Sequence, residues 1–167
     1  MIAALKGHTV GGGLEIAMAA DLRIARNGAG KVGLPEVTLG VLPGTGGTQR
    51  MAWLVNKSKA IELMVTGETF GFESAMELGL VNQVWEAANT QEFMDKIQAY
   101  AEQFCAPNKA SRAVGRIKRA VQTGAELPFE SALAVERELQ QLLFQGEDAK
   151  EGLAAYLEKR KGNFSGR

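Results

Sequence analysis

Residues 9–21 read TVGGGLEIAMAAD: three successive glycines, then an apolar run broken by a single carboxylate, Glu15. Leu14, Ile16, Ala17, Met18, Ala19 and Ala20 are apolar around the whole circumference of a helix. A helix that is apolar on all sides is a buried one. The pattern therefore predicts a buried helix over residues 14–20, ended by Asp21, with Glu15 directed into protein or into a cavity. An unpaired buried carboxylate is costly or gives up its charge. A glutamate in the first helical turn has an ordinary explanation, because it complements the helix macrodipole by roughly 0.3–1 kcal/mol. The glycines add a second explanation. Gly11, Gly12 and Gly13 let a ligand approach the backbone, and the first N–H groups of a helix have no partner within it. Such donors suit a developing oxyanion. A carboxylate beside oxyanion donors is the equipment for acid–base chemistry next to a carbonyl.

A second carboxylate follows in GLPEVTLG, residues 33–40. Pro35 holds Leu34 extended and stiffens the approach to Glu36. A surface turn explains the spacing equally well. If Glu36 reaches the cavity of Glu15, the two supply an acid and a base to one reactant.

Outward from these stretches, the chain reads as α/β. Strands are expected over residues 2–5, 22–25 and 80–85, with a glycine-bearing turn over 6–13. Residues 26–47 are rich in glycine and read as loop. Short helices are expected over 48–54, 57–64 and 73–78, the last capped by Gly79. From residue 90 onward the periodicity is helical, over 91–104, 108–122, 128–144 and 149–160. Asp148 and Glu151 have the spacing of a capping box for the last of these. The division this suggests is a mixed α/β part over residues 1–105 and a helical part over 106–167. The strand at 2–5 begins with no lead-in, and a core strand needs neighbours. The chain is thus expected to start inside a larger fold and, alone, to self-associate through uncovered apolar surface.

The 167 residues carry 19 basic and 19 acidic side chains. A net charge of zero argues against general binding to nucleic acid or acidic membranes. Residues 1–105 hold 8 basic and 11 acidic side chains and residues 106–167 hold 11 and 8, so the C-terminal part is mildly basic. Cys105 is the one cysteine and His8 the one histidine, which excludes a disulfide framework, a cysteine zinc site and a histidine-rich metal site. No apolar run reaches membrane-spanning length. GAGKVG, residues 28–33, matches a dinucleotide-binding pattern, but Pro35 leaves no room for the helix that pattern needs. GTGGTQR, residues 44–50, looks suited to phosphate but lacks the lysine of a P-loop. His8 reads as a turn or packing residue, and Asp21 as a tie between the helix end and the next loop. Arg112, Arg116 and Arg119 share a helical face with no acid near them in sequence and read as a solvated face.

Four segments, GHTVGGGLEIAMAADLRIA, GLPEVTLGVLPGTGGTQRM, AIELMVTGETF and AMELGLVNQV, resemble in that order the central signature of the crotonase (enoyl-CoA hydratase/isomerase) superfamily. The stretch from Leu127 to Arg167 is similar to the C-terminal helices of that family. The resemblance implies a spiral of β-β-α units without its N-terminal part, followed by helices that join trimers, which pair as hexamers. It implies an acyl-CoA thioester substrate, with coenzyme A as part of that substrate and no separate cofactor or metal. Glu15 matches the first catalytic glutamate of the family and Glu36 the second. Gly12 matches the oxyanion donor. Gly11, Pro43, Gly44, Tyr156 and Lys159 match positions around the substrate and its coenzyme A portion. Two departures stand out: RNGAGK is one residue longer than usual, and Lys6 replaces a small or polar residue. The implied reaction is syn hydration of a trans-2-enoyl-CoA, as in β-oxidation of fatty acids, in the cytoplasm or a mitochondrial matrix. The chain reads as the C-terminal portion of such a lyase and is expected to be inactive alone. The alternatives are an isomerase or other acyl-CoA enzyme of the same fold, or a non-catalytic subunit or RNA-binding fragment.

Overall fold

The structure, a computed structural model, describes residues 1–167. The chain forms two compact units, Met1–Ile97 and Gln98–Arg167.

The first unit repeats the order strand, strand, helix twice and closes with alternating helices and strands. Strands β1 (Ile2–Leu5) and β2 (Thr9–Val10) lead into helix α1 (Gly12–Met18). Strands β3 (Leu22–Arg26) and β4 (Lys31–Gly33) lead through a short 3-10 helix (Glu36–Leu39) into α2 (Gly47–Val55). Helix α3 (Lys57–Thr66), strand β5 (Phe70–Gly71), helix α4 (Phe72–Glu77) and strand β6 (Gln83–Trp85) complete the unit. Each repeat gives one strand to each of two sheets, ordered β1-β3-β6 and β2-β4-β5. The first sheet is parallel throughout, with Ile2 opposite Leu22 and Ile24 opposite Gln83. In the second, β2 runs parallel to β4, and β5 runs antiparallel to β4. This is the expected spiral of β-β-α units.

Burial explains the central position of β3. Ile24 and Ala25 have no exposed surface, as expected of a strand covered on both faces. Of the two arginines in this strand, Arg26 is half-buried at its end and Arg23 is buried. Its Nε donates to the carbonyl of Leu80 at 2.7 Å and its Nη1 to that of Ala20 at 2.9 Å. Desolvation pulls the Arg23 guanidinium below its usual pKa, and the charge of Asp21 partly offsets this. The core between the sheets and α1, α2 and α4 contains Leu14, Met51, Phe72 and Leu80.

Several expectations are corrected. Helix α1 begins at Gly12 rather than Leu14, because Gly11 (φ 57, ψ −131) turns the chain from β2 directly into the helix. It ends at Met18. It is not buried all round: Ile16 is 73% exposed, while Leu14, Glu15, Ala17 and Met18 are buried. So short a helix can bury one face only. Strands β2 and β4 fall where turn and loop are expected, and β5 falls where no element is expected, since two or three residues cannot display an alternating pattern. Leu80 and Val81 precede β6 instead of opening it, and both donate to the carbonyl of Ala75.

Helix α5 (Thr90–Glu102) runs through the division between the units. The second unit continues with α6 (Ser111–Gly124), α7 (Phe129–Phe144) and α8 (Glu147–Leu157). The capping box is not formed. Gly146 is the N-cap of α8, and the buried Asp148 instead accepts from the amides of Ser165 (2.7 Å) and Gly166 (2.9 Å). Glu151 pairs with Arg160 through both carboxylate oxygens. Arg112 and Arg119 are exposed, as a solvated face requires. Arg116 is half-buried and lines a groove between α6 and α7 together with Glu130 and Glu136, acids that the sequence around it does not show.

Candidate active site

The carboxylate of Glu15 is held by backbone alone. The residue is 3% exposed, in the first turn of α1. Its Oε1 accepts the N–H of Thr45 at 2.7 Å and that of Gly47 at 2.8 Å. Gly46, between them, is left-handed (φ 93, ψ 10). Such a conformation turns alternate N–H groups to one side and forms an anion-binding nest. Gly47 also opens the nine-residue α2, so the carboxylate sits where the macrodipole favours negative charge. Hydrogen bonds to a charged group contribute about 1.5–3 kcal/mol each. The approach is close enough to require glycine: a Cβ on Gly47 would stand 2.8 Å from Glu15 Oε1 and 2.7 Å from Cβ of Pro43.

The phosphate-like look of GTGGTQR is thereby explained. The loop does cradle an anion, but the anion is a side chain of the same chain. The other decoy is equally structural. A Cβ on Gly30 would stand 2.5 Å from the amide nitrogen of His8, so that loop packs directly on the β1–β2 turn. Strand β4 follows it, not a helix. His8 accepts the amide N–H of Lys31 through Nδ1 at 3.2 Å, consistent with a turn residue.

Glu36 opens the 3-10 helix after Pro35 and is half-buried. The turn that bears it is tied by the N–H and Oγ1 of Thr38, both donating to the carbonyl of Pro35. Oε2 of Glu36 is buried without a hydrogen-bond partner. The other oxygen, Oε1, lies over Gly11, where an added Cβ would stand 3.2 Å away. The two glutamates thus gather at one end of α1, with Glu36 against its N-cap and Glu15 in its first turn. Gly12 lies between the N-cap Gly11 and Glu15 in sequence and is exposed. As the first residue of the helix, its N–H has no acceptor within α1.

The remaining candidates divide. Pro43 is buried, packed toward Gly47, and Gly44 is exposed beside it. Tyr156, on α8, is 81% exposed, and Lys159 follows that helix in a left-handed conformation (φ 55). Both belong to the Gln98–Arg167 unit. The residues that sequence reasoning missed are Thr45 and Gly47, which hold Glu15. Their signal in the sequence is the glycine-rich loop after Pro43, whose backbone donors suit a carboxylate as well as a phosphate.

Comparison with known proteins bears on the family of the chain. The enoyl-CoA hydratase/isomerase family model matches residues 1–167. A probable enoyl-CoA hydratase of Bacillus subtilis is 40% identical over 166 residues, which are 99% of this chain and 62% of that protein. A crotonyl-CoA hydratase of Syntrophomonas wolfei is 39% identical, covering 98% of this chain and 61% of that protein. The crystal structure of an enoyl-CoA hydratase from Geobacillus kaustophilus superimposes with a TM-score of 0.92 at 51% identity, covering 99% of this chain and 61% of that one. The chain therefore spans somewhat less than two thirds of the length of these relatives. With the repeated β-β-α order, two glutamates at one end of α1 and a family match from first residue to last, the chain belongs to the enoyl-CoA hydratase/isomerase family.

Proposed function

We infer that the protein carrying this chain is an enoyl-CoA hydratase, adding water syn across the double bond of a trans-2-enoyl-CoA. Glu15 takes a proton from the water that attacks the β carbon. Glu36 delivers a proton to the α carbon. The N–H of Gly12 donates to the thioester oxygen as charge develops on it, and coenzyme A enters as part of the substrate. Tyr156 and Lys159 are assigned to its coenzyme A portion, and Gly11, Pro43 and Gly44 to the acyl end. Assembly into trimers or hexamers belongs to the same reading. It is supported by exposed apolar side chains of the helical unit such as Ile117, Val121 and Phe144.

The observation that carries the reading is the unequal treatment of the two carboxylates. Glu15 receives two backbone N–H groups on one oxygen, while Glu36 keeps a buried oxygen without a partner. Two carboxylates in different surroundings at one end of a helix suit an acid and a base acting on one reactant. No helix of the chain is long and apolar enough to cross a membrane, and the enzyme is proposed to work in the cytoplasm or a mitochondrial matrix. The test is incubation with a trans-2-enoyl-CoA and, separately, a 3-enoyl-CoA. Formation of a 3-hydroxyacyl-CoA from the first supports hydration. Conversion of the second without any hydration of the first would make the protein an isomerase instead.

A further inference from the structure

The nest that holds Glu15 is braced from outside. Arg50 lies on the first turn of α2 and is half-buried. Its Nη1 donates to the carbonyl of Thr45 at 2.9 Å, and its own amide donates to the carbonyl of Gly46 at 3.0 Å. The guanidinium also covers Gly46: a Cβ there would stand 2.3 Å from Nη1 and 3.1 Å from Cζ. The peptide groups from Thr45 to Gly47 are therefore gripped on two sides. Their N–H groups face Glu15, and a carbonyl of the same loop faces Arg50.

This grip has a physical purpose. Glycine in the left-handed region is the freest residue in a chain, and a loop hinged on Gly46 has no side chain of its own to fix it. The two N–H groups aim at Glu15 Oε1 only while that hinge stays in place. A guanidinium is a flat, rigid donor and holds a carbonyl in a defined direction, which a flexible ammonium does less well. Misplacement of a reacting group by about 1 Å can cost on the order of 10²-fold in rate.

We propose that Arg50 is a positioning residue for Glu15, acting through the carbonyl of Thr45 and the peptide groups of the Thr45–Gly47 nest. The proposal rests on the hydratase reading for its effect on rate, and on the geometry alone for its effect on the loop. The two are tested separately in the whole protein. Arg50→Met keeps the bulk of the side chain and removes its donors, while Arg50→Lys keeps a donor. For hydration of a trans-2-enoyl-CoA, Arg50→Met is expected to lower kcat about 10–100-fold with KM nearly unchanged, and Arg50→Lys to recover part of that loss. Amide hydrogen exchange is expected to quicken at Thr45 and Gly47 in Arg50→Met, while the strands of the same unit keep their protection. Wild-type kcat in Arg50→Met would overturn the proposal. So would exchange that quickens throughout the Met1–Ile97 unit, which marks a general structural role. If the unmodified protein hydrates no enoyl-CoA, the functional reading falls. The bracing of the nest then stands or falls on the exchange at Thr45 and Gly47 alone.

Discussion

Oε1 of Glu15 accepts the amide N–H of Gly47 at 2.8 Å, across 32 residues of sequence. The bond joins the first turn of α1 to the first residue of α2, so the proposed base is aimed by the backbone of the following repeat. Glu15→Gln keeps an oxygen for the two N–H groups but cannot take up a proton. Hydration of a trans-2-enoyl-CoA should fall by about 10²–10⁴, with thermal unfolding little changed. Turnover near that of the unmodified protein would reduce Glu15 to a helix-dipole residue.

Gly47→Ala tests the closeness of that contact. The added methyl would meet both Glu15 Oε1 (2.8 Å) and Pro43 Cβ (2.7 Å). Pro43 is itself buried, and its ring cannot swing away. Overpacking of this kind costs about 1–3 kcal/mol, read as a lower midpoint in urea unfolding. Activity should fall further than stability, because the methyl displaces the carboxylate. A variant as stable and as active as the parent would show that the loop gives way without consequence.

Gly11→Ala addresses the other carboxylate. Gly11 has φ 57 and ψ −131, a region that L side chains rarely adopt, and its missing Cβ leaves room for Glu36 Oε1. Strain of about 1–3 kcal/mol is expected from the backbone. The methyl should also press on Glu36 and slow proton delivery to the α carbon. A crystal structure of the variant with Glu36 unmoved would contradict this.

The helical unit offers a test by pH. The hydrogen bonds from Arg160, and then the amide of Asn163, hold the Glu151 carboxyl down to about 2 from an ordinary 4.5. A group whose folded value is depressed stabilises the fold above its unfolded value and loses that contribution as pH falls through the folded one. The Glu151–Arg160 contact should therefore persist at pH 4 and be lost only as pH approaches about 2. Carbon-13 titration of Glu151 should show a midpoint near the lower value, and Glu151→Gln should flatten the acid limb of the stability curve in that window. A midpoint near 4.5 would show the bidentate pair to be open in solution.

Much of the molecule could be read from one dimension because the physics behind it is local. The glycine run and apolar stretch around Glu15, the Pro–Glu turn at Glu36 and the helical periodicity beyond residue 90 all depend on neighbours within a few positions. The α/β order and α1, α2, α3 and α4 followed, with ends displaced by a few residues where a glycine or a short connection set the boundary. What could not be read depends on partners far away in sequence. β2, β4 and β5 are strands only because distant residues hydrogen-bond to them; Thr9 opposite Val32 is one such pair. Asp148 looks like a cap and instead accepts from the amides of Ser165 and Gly166, 17 and 18 residues on. Ile16 looks buried and stands in the open, because which face of a two-turn helix is covered depends on the elements packed against it. The same distinction applies to the site. The residue types named Glu15 and Glu36 as candidates, but only the packing of α1 against α2 decided that a glycine-rich loop meets Glu15, and only the pairing of β2 with β4 decided that Glu36 rests on Gly11. A carboxylate can be recognised from its chemistry alone, whereas its donors are fixed by where the folded backbone places their N–H groups.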